Sequence, residues 1–264
     1  MKNTVSTGCY ILKSGENSLD LLSVKTKEIS IENEVNSDSN LFISHFADVE
    51  AINILVKKDS HLVISLLFEN SVNDLKINIK VEGNALLEGY FADFSQDKLD
   101  LNCEIDLVEN NATSYIKLAS LSSKTDDKKI SVSVNHLVPQ TYGKVDNYGV
   151  CKDSGKLLFA GTSHIFEKAI KSKTQQNAKI MVFDEASNAI AKPILKIDEN
   201  DIEASHAAVV GKINDEHLFY MTSRGISEVD AKQLITLGYL KPILAGFNQE
   251  ETREYISSLI ERRM

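Results

Sequence analysis

Few side chains in this sequence have the types that bind metals or attack substrates, and their spacing limits what they can do. The thiols are Cys9, Cys103 and Cys151, isolated from one another, with no CxxC pair and an odd total. That pattern suggests neither a disulfide framework nor a self-contained zinc site, and it fits a reducing cytoplasm. Cys103 falls within an alternating apolar run and reads as core. Cys151 lies on another strand-like run and Cys9 near the start, and each reads as a small buried or incidental residue. His206, in the doublet Ser205-His206, is the residue to single out. A neutral imidazole there can ligate iron, or it can be satisfied by hydrogen bonds at a strand end. The sequence has no G-x-x-x-x-G-K-[ST] phosphate loop, so ATP hydrolysis is not expected of it. Nor does it have a G-x-S-x-G, an H-E-x-x-H or a local Ser/His/Asp grouping. The expectation is that this protein is not an enzyme.

The elements that must position these residues are strands. From about residue 19 to residue 222 the dominant signal is alternation of period two, which sends successive side chains to opposite faces. Over residues 74–82, Leu75, Ile77, Ile79 and Val81 point one way while Lys76, Asn78 and Lys80 point the other. Leu99, Leu101, Cys103, Ile105 and Leu107 repeat the pattern, as do Ile130, Val132 and Val134. Short polar breaks at 69–73, 82–84, 109–111 and 124–129 separate the runs, a spacing that suits a sandwich, a barrel or a solenoid. Strict repeats are not evident, so periodicity alone reaches all-β and stops there. A helical turn over 163–171 and a strand start at Pro193 are the expected interruptions.

After residue 222 the pattern becomes helical. Ser227 and Asp230 form a capping box ahead of Val229, Leu234, Ile235 and Leu237. A second helix is expected over 242–247. A third begins near Asn248, with Glu250 and Glu251 in its first turn, Arg262 and Arg263 in its last, and an apolar stripe of Tyr255, Ile256, Leu259 and Ile260. The expected organisation is a β core over residues 1–222, including a short N-terminal segment, and a helical region over 223–264.

With 264 residues, 42% of them hydrophobic, the chain can bury a sizeable core. Its 38 acidic and 29 basic residues leave a net charge of -9, without the basic stripe that phosphate contacts require, so nucleic acid is not an expected partner. The first twelve residues show no signal-peptide pattern. The longest apolar stretches, such as 62–68 broken by Ser65, fall well short of the roughly 20 residues of a membrane span. The expectation is a cytoplasmic protein without a membrane partner.

Residues 203–227 read EASHAAVVGKINDEHLFYMTSRGIS and residues 191–198 read AKPILKID. Together they resemble the SufB/SufD family, in which a P-x-L-x-I strand leads to S-H-x-A-x-V-G, then L-F-Y, then S-R-G-I opening the terminal helices. His136, Pro139 and Thr141, the segment 158–161, and Gln175 and Gln176 also look like the later rungs of that family. The resemblance spans about residues 85–240. The Ser-His doublet, with neither cysteine nor glutamate directly after it, is similar to the SufD branch.

The resemblance implies a mainly β protein, a right-handed parallel β-helix with a small C-terminal helical appendage. It also implies a SufD-like scaffold subunit in iron-sulfur cluster assembly. Such a subunit pairs with a SufB-like paralogue through the β-helix and binds a SufC-like ABC ATPase through its terminal helices. His206 becomes the candidate ligand or interface residue for a nascent cluster, held only transiently, with no cofactor bound stably. One departure from the family is Ala204, where many SufD chains carry cysteine, so this strand offers no second ligand. The chain is also short for the family at its N-terminal side. His217, Arg224 and Gly225 read as structural residues of the junction, Gly225 suiting a turn of positive φ. The terminal helices can also be read as a solenoid cap. Two other readings stand beside the main one: a purely structural solenoid subunit without cluster chemistry, and a β-solenoid protein acting on carbohydrate, which the spacing of the acids does not support.

Overall fold

Among the described residues the alternating runs become sixteen strands that take turns between two parallel sheets. The structure is a computed structural model that describes residues 8–24, 26–46 and 49–264. The first eight strands are β1 (Cys9–Leu12), β2 (Gly15–Asp20), β3 (Glu28–Asn33), β4 (Asp38–Ser44), β5 (Ala51–Val56), β6 (His61–Phe68), β7 (Val72–Val81) and β8 (Leu86–Asp93). The rest are β9 (Lys98–Leu107), β10 (Thr113–Ser122), β11 (Asp127–His136), β12 (Tyr142–Cys151), β13 (Lys156–Ile165), β14 (Lys173–Val182), β15 (Asn188–Ile197) and β16 (Glu203–Lys212). Odd-numbered strands form one sheet and even-numbered strands the other, each strand pairing with the one two places away. This connectivity is a β-solenoid.

Parallel stacking in register puts equivalent side chains on top of one another. Ile52, Ile77, Cys103 and Val132 form one inward column of the first sheet. Ile54, Ile79, Ile105 and Val134 form the next. Each of these residues is buried, Cys103 completely. Burying a side chain of this size is worth about 1.5–3 kcal/mol, so the columns are the main source of the solenoid's stability.

Each rung must turn sharply between sheets, and the residue that turns it has positive φ. At one corner these are Asn36, Asp59, Asn84, Asn111, Gln140 and Lys171, and at the other Asp97, Lys124 and Asp153. Asn and Asp tolerate this region because their short polar side chains bond locally. Asn111 Nδ2 donates to Asn84 Oδ1 at 3.0 Å and Asn84 Nδ2 to Asp59 Oδ1 at 2.8 Å, so the corner side chains form a ladder. Acids from the next rung close the turns. Glu82 accepts the Lys58 N–H, Glu109 the Gly83 N–H, Asp126 the Asp97 N–H and Asp153 the Lys124 N–H, all within 3.0 Å.

Three helices follow: α1 (Asp215–Thr222), α2 (Glu228–Leu240) and α3 (Glu250–Arg263), with a 3-10 segment, Lys241–Gly246, between the last two. Ser227 caps α2 through the Asp230 N–H, as the capping box requires. The helices do not cap the solenoid's end. Leu240, Ile243, Phe247, Ile256 and Ile260 pack on the outer face of the second sheet, against Leu67, Ala92, Ala119, Leu121 and Val150. This explains why β6 and β10 end in unbroken runs of buried residues: they are covered on both faces there.

Three local expectations change. Residues 163–165 are the end of β13, and 166–171 is a turn with Lys168 and Lys171 at positive φ, so no helix forms there. Pro193 lies inside β15 rather than at its start, tolerated because β15 is an edge strand. Helical structure already begins at Asp215, where Asn214 caps α1 by accepting from the Glu216 and His217 N–H groups.

Candidate functional site

His206 lies on β16, the last strand of the second sheet, paired with β14 on one side only. Its position follows from register. Thr174, Gln176, Ala178 and Ile180 point into the solenoid and are buried, and they pair with Ala204, His206, Ala208 and Val210. Those four residues therefore continue the interior face where no further rung covers it, and all four are exposed. Directly beneath His206, Gln176 is fixed by donating its amide to Ser163 Oγ at 2.6 Å.

β15 ends the first sheet in the same way. Ala189, Ala191, Pro193, Leu195 and Ile197 continue the columns of Leu157, Phe159, Gly161, Ser163 and Ile165. On the outer faces of these two edge strands, in register with Leu158, Thr162 and Lys179, Ile190, Ile194 and Val209 are exposed as well. The open end is thus an apolar surface with one imidazole in it, flanked by two edge strands whose outer backbone groups are unpaired. Such an edge is a template for pairing with another chain. At its rim Lys173 pairs with Glu203 at 2.7 Å. His164, stacked on Phe166, bonds Asp198 at 2.6 Å and holds that carboxyl below its ordinary range.

The thiols are not brought to His206. Cys103 is in the core, where burial pushes its pKa well up. Cys9 is exposed on β1, at the opposite end of the solenoid. Cys151 is buried at the end of β12, its Sγ donating to the Gly155 carbonyl at 3.1 Å, and burial raises its pKa too. It stands two strands and six positions along from His206, roughly 20 Å away by strand spacing and rise. Among the described residues no three His, Cys, Asp or Glu side chains group to hold a metal ion. A cluster at His206 would therefore need ligands from another chain.

At the junction, Arg224 stacks over the Tyr220 ring at 4.4 Å, Gly225 has φ 87° and His217 is exposed on α1. Helix α1 buries none of its side chains and exposes Phe219 and Tyr220, and α2 exposes Val229 near its start. A shallow depression of about 220 Å³ on the outer face of the second sheet, lined by Glu88, Tyr90, Tyr115, Lys117, Lys144 and Asp146, is separate from the open end. Its acids are already matched, Glu88 by His61 and Asp146 by Lys144.

Sequence reasoning missed two buried ion pairs, Lys128 with Asp93 and Arg263 with Asp126. Lys128 did leave a signal: it stands in phase with Ile130 and Val132, a charge where the alternation calls for an apolar side chain.

The family model described as "SUF system FeS cluster assembly, SufBD core domain" matches residues 21–239. The chain is 32% identical over 137 residues to the iron-sulfur cluster assembly protein SufD of Bacillus subtilis (strain 168), covering 52% of this chain and 31% of that protein. With SufB of the same organism it shares 24% over 238 residues, 89% of this chain and 50% of that one. With SufD of Escherichia coli (strain K12) it shares 30% over 115 residues, 44% and 27% respectively. The chain thus spans half or less of the length of each of these relatives.

Proposed function

We propose, because the chain belongs to the SufB/SufD family, that it is a SufD-like scaffold subunit on which iron-sulfur clusters are assembled, without catalysis of its own. The observation that carries the reading is the open end of the solenoid. A stable lone protein does not usually leave its interior columns uncovered beside two unpaired edge strands. A SufB-like paralogue that ends in the same way would cover the columns and extend both sheets.

His206 is the one metal-binding side chain of that inward face, and a partner's thiolates would complete the ligand set. Mixed imidazole and thiolate ligation suits a cluster that is cargo, to be built and passed on. The partly apolar, exposed face of α1 and α2 is where a SufC-like ATPase would bind. The nearer resemblance to SufD than to SufB in percentage identity supports the assignment of the branch, as does the Ser205-His206 doublet with neither cysteine nor glutamate directly after it.

Co-expression with a SufB-like and a SufC-like protein, followed by native mass measurement, tests the pairing. The expected result is a stoichiometric complex that breaks into its parts when Val210, in the uncovered interior column, is changed to lysine. Recovery of the chain as a lone monomer, indifferent to Val210→Lys, would overturn it.

A further inference from the structure

The end of α3 is fixed to the solenoid by charge, and both sides of the contact are built to exist apart. Arg263, in the last turn, is almost fully buried against Asp126. Its guanidinium donates to that carboxylate, to Ser123 Oγ at 3.1 Å, and to the carbonyls of Phe94 (3.2 Å) and Ser95. Met264 adds an outer tie, its carbonyl accepting from Lys152 Nζ at 2.6 Å.

The receiving corner does not need the arginine to be satisfied. Asp126 accepts the Asp97 N–H at one carboxylate oxygen and the Ser123 N–H at the other, both at 2.8 Å. Behind it Lys128, fully buried, donates to the Ser95 carbonyl at 2.9 Å and faces Asp93 at 3.5 Å, while Asp93 accepts from Ser120 Oγ at 2.6 Å. Losing one member of a buried ion pair is normally severe because the other is left bare. Here the turn's own amides hold the carboxylate. Arg263 itself carries a defect when docked, since its Nε is buried without a hydrogen-bond partner, and water would satisfy that nitrogen once the side chain leaves. The apolar contacts are separable as well: the cluster under the helices is distinct from the cluster inside the solenoid.

We infer that Arg263 and α3 form a reversible latch, which clamps the helical appendage to the second sheet when closed and frees α3, with the solenoid intact, when open. Hydrogen exchange read by mass spectrometry on the full chain tests this. In the wild type, α3 amides exchange ahead of those of β7 to β12 through local opening. Arg263→Gln speeds α3 by about tenfold or more, the loss of charge-assisted hydrogen bonds expressed as an opening equilibrium, while the solenoid amides keep their rates. Arg263→Lys, which keeps the charge but loses the fork, falls between the two. The inference is overturned if α3 exchanges in step with the solenoid in the wild type. It is equally overturned if Arg263→Gln leaves α3 unchanged or speeds the solenoid amides to the same degree.

Discussion

At the scale of single residues, the interior of the solenoid treats polar groups in two ways. Most are paired: Asn33 bonds Ser37 and Ser60, and Gln176 bonds Ser163. His136 is only half satisfied, with Nδ1 on Thr141 Oγ1 at 2.7 Å and Nε2 buried without a partner. Burial pushes its pKa down to about 4. The unfolded chain protonates this histidine near its ordinary value of about 6.5, so between those two values the unfolded state binds the extra proton and the folded state does not. The folded pKa is the depressed one, so stability is at its full value above about pH 6.5, falls as pH drops, and has lost about 3 kcal/mol by pH 4. Urea midpoints measured across that window should fall more steeply for the wild type than for His136→Gln, and parallel curves would refute the assignment.

At the scale of elements, the corners decide whether rungs can stack. Asn84 holds φ 54° and links Asp59 to Asn111. Asn84→Val places a β-branched residue in the left-handed region and breaks the ladder, and should cost about 1–3 kcal/mol in equilibrium unfolding. Asn84→Gly, which keeps the backbone free but loses the ladder, should cost less; equal losses would mean that backbone strain is not what matters there.

The same corners explain what could be read in advance. Strand phase was legible wherever one face is wet, as at Leu75 to Val81 and at Cys103, because alternation records burial directly. The solenoid was not legible from periodicity, because the step between residues stacked in register drifts, from 25 between Asn53 and Asn78, through 29 between Lys98 and Asp127, to 32 between Lys156 and Asn188. The turning residues also change type from Asn to Gln to Lys. Resemblance supplied the fold that periodicity could not. His206 was found through its motif, whereas its placement in the uncovered interior column depends on register with Gln176, and sequence spacing carries no trace of that contact.

At the scale of the whole molecule, the chain is a parallel solenoid closed along its second sheet by helices and open at its last rung. No helix among the described residues is long and apolar enough to cross a membrane. Helix α1, with no buried side chain, follows β16, so an uncovered edge strand and an exposed helix lie on consecutive elements. On the proposed reading, the open end joins a second solenoid and His206 serves the cluster built there. The most direct test is the iron and acid-labile sulfide content of the anaerobically reconstituted complex with SufB-like and SufC-like partners, comparing the wild type with His206→Ala. A ligand role for His206 makes the variant complex assemble with the same mass but lose most of its cluster. Full cluster content in the His206→Ala complex would contradict it and leave this chain as a structural half of the assembly.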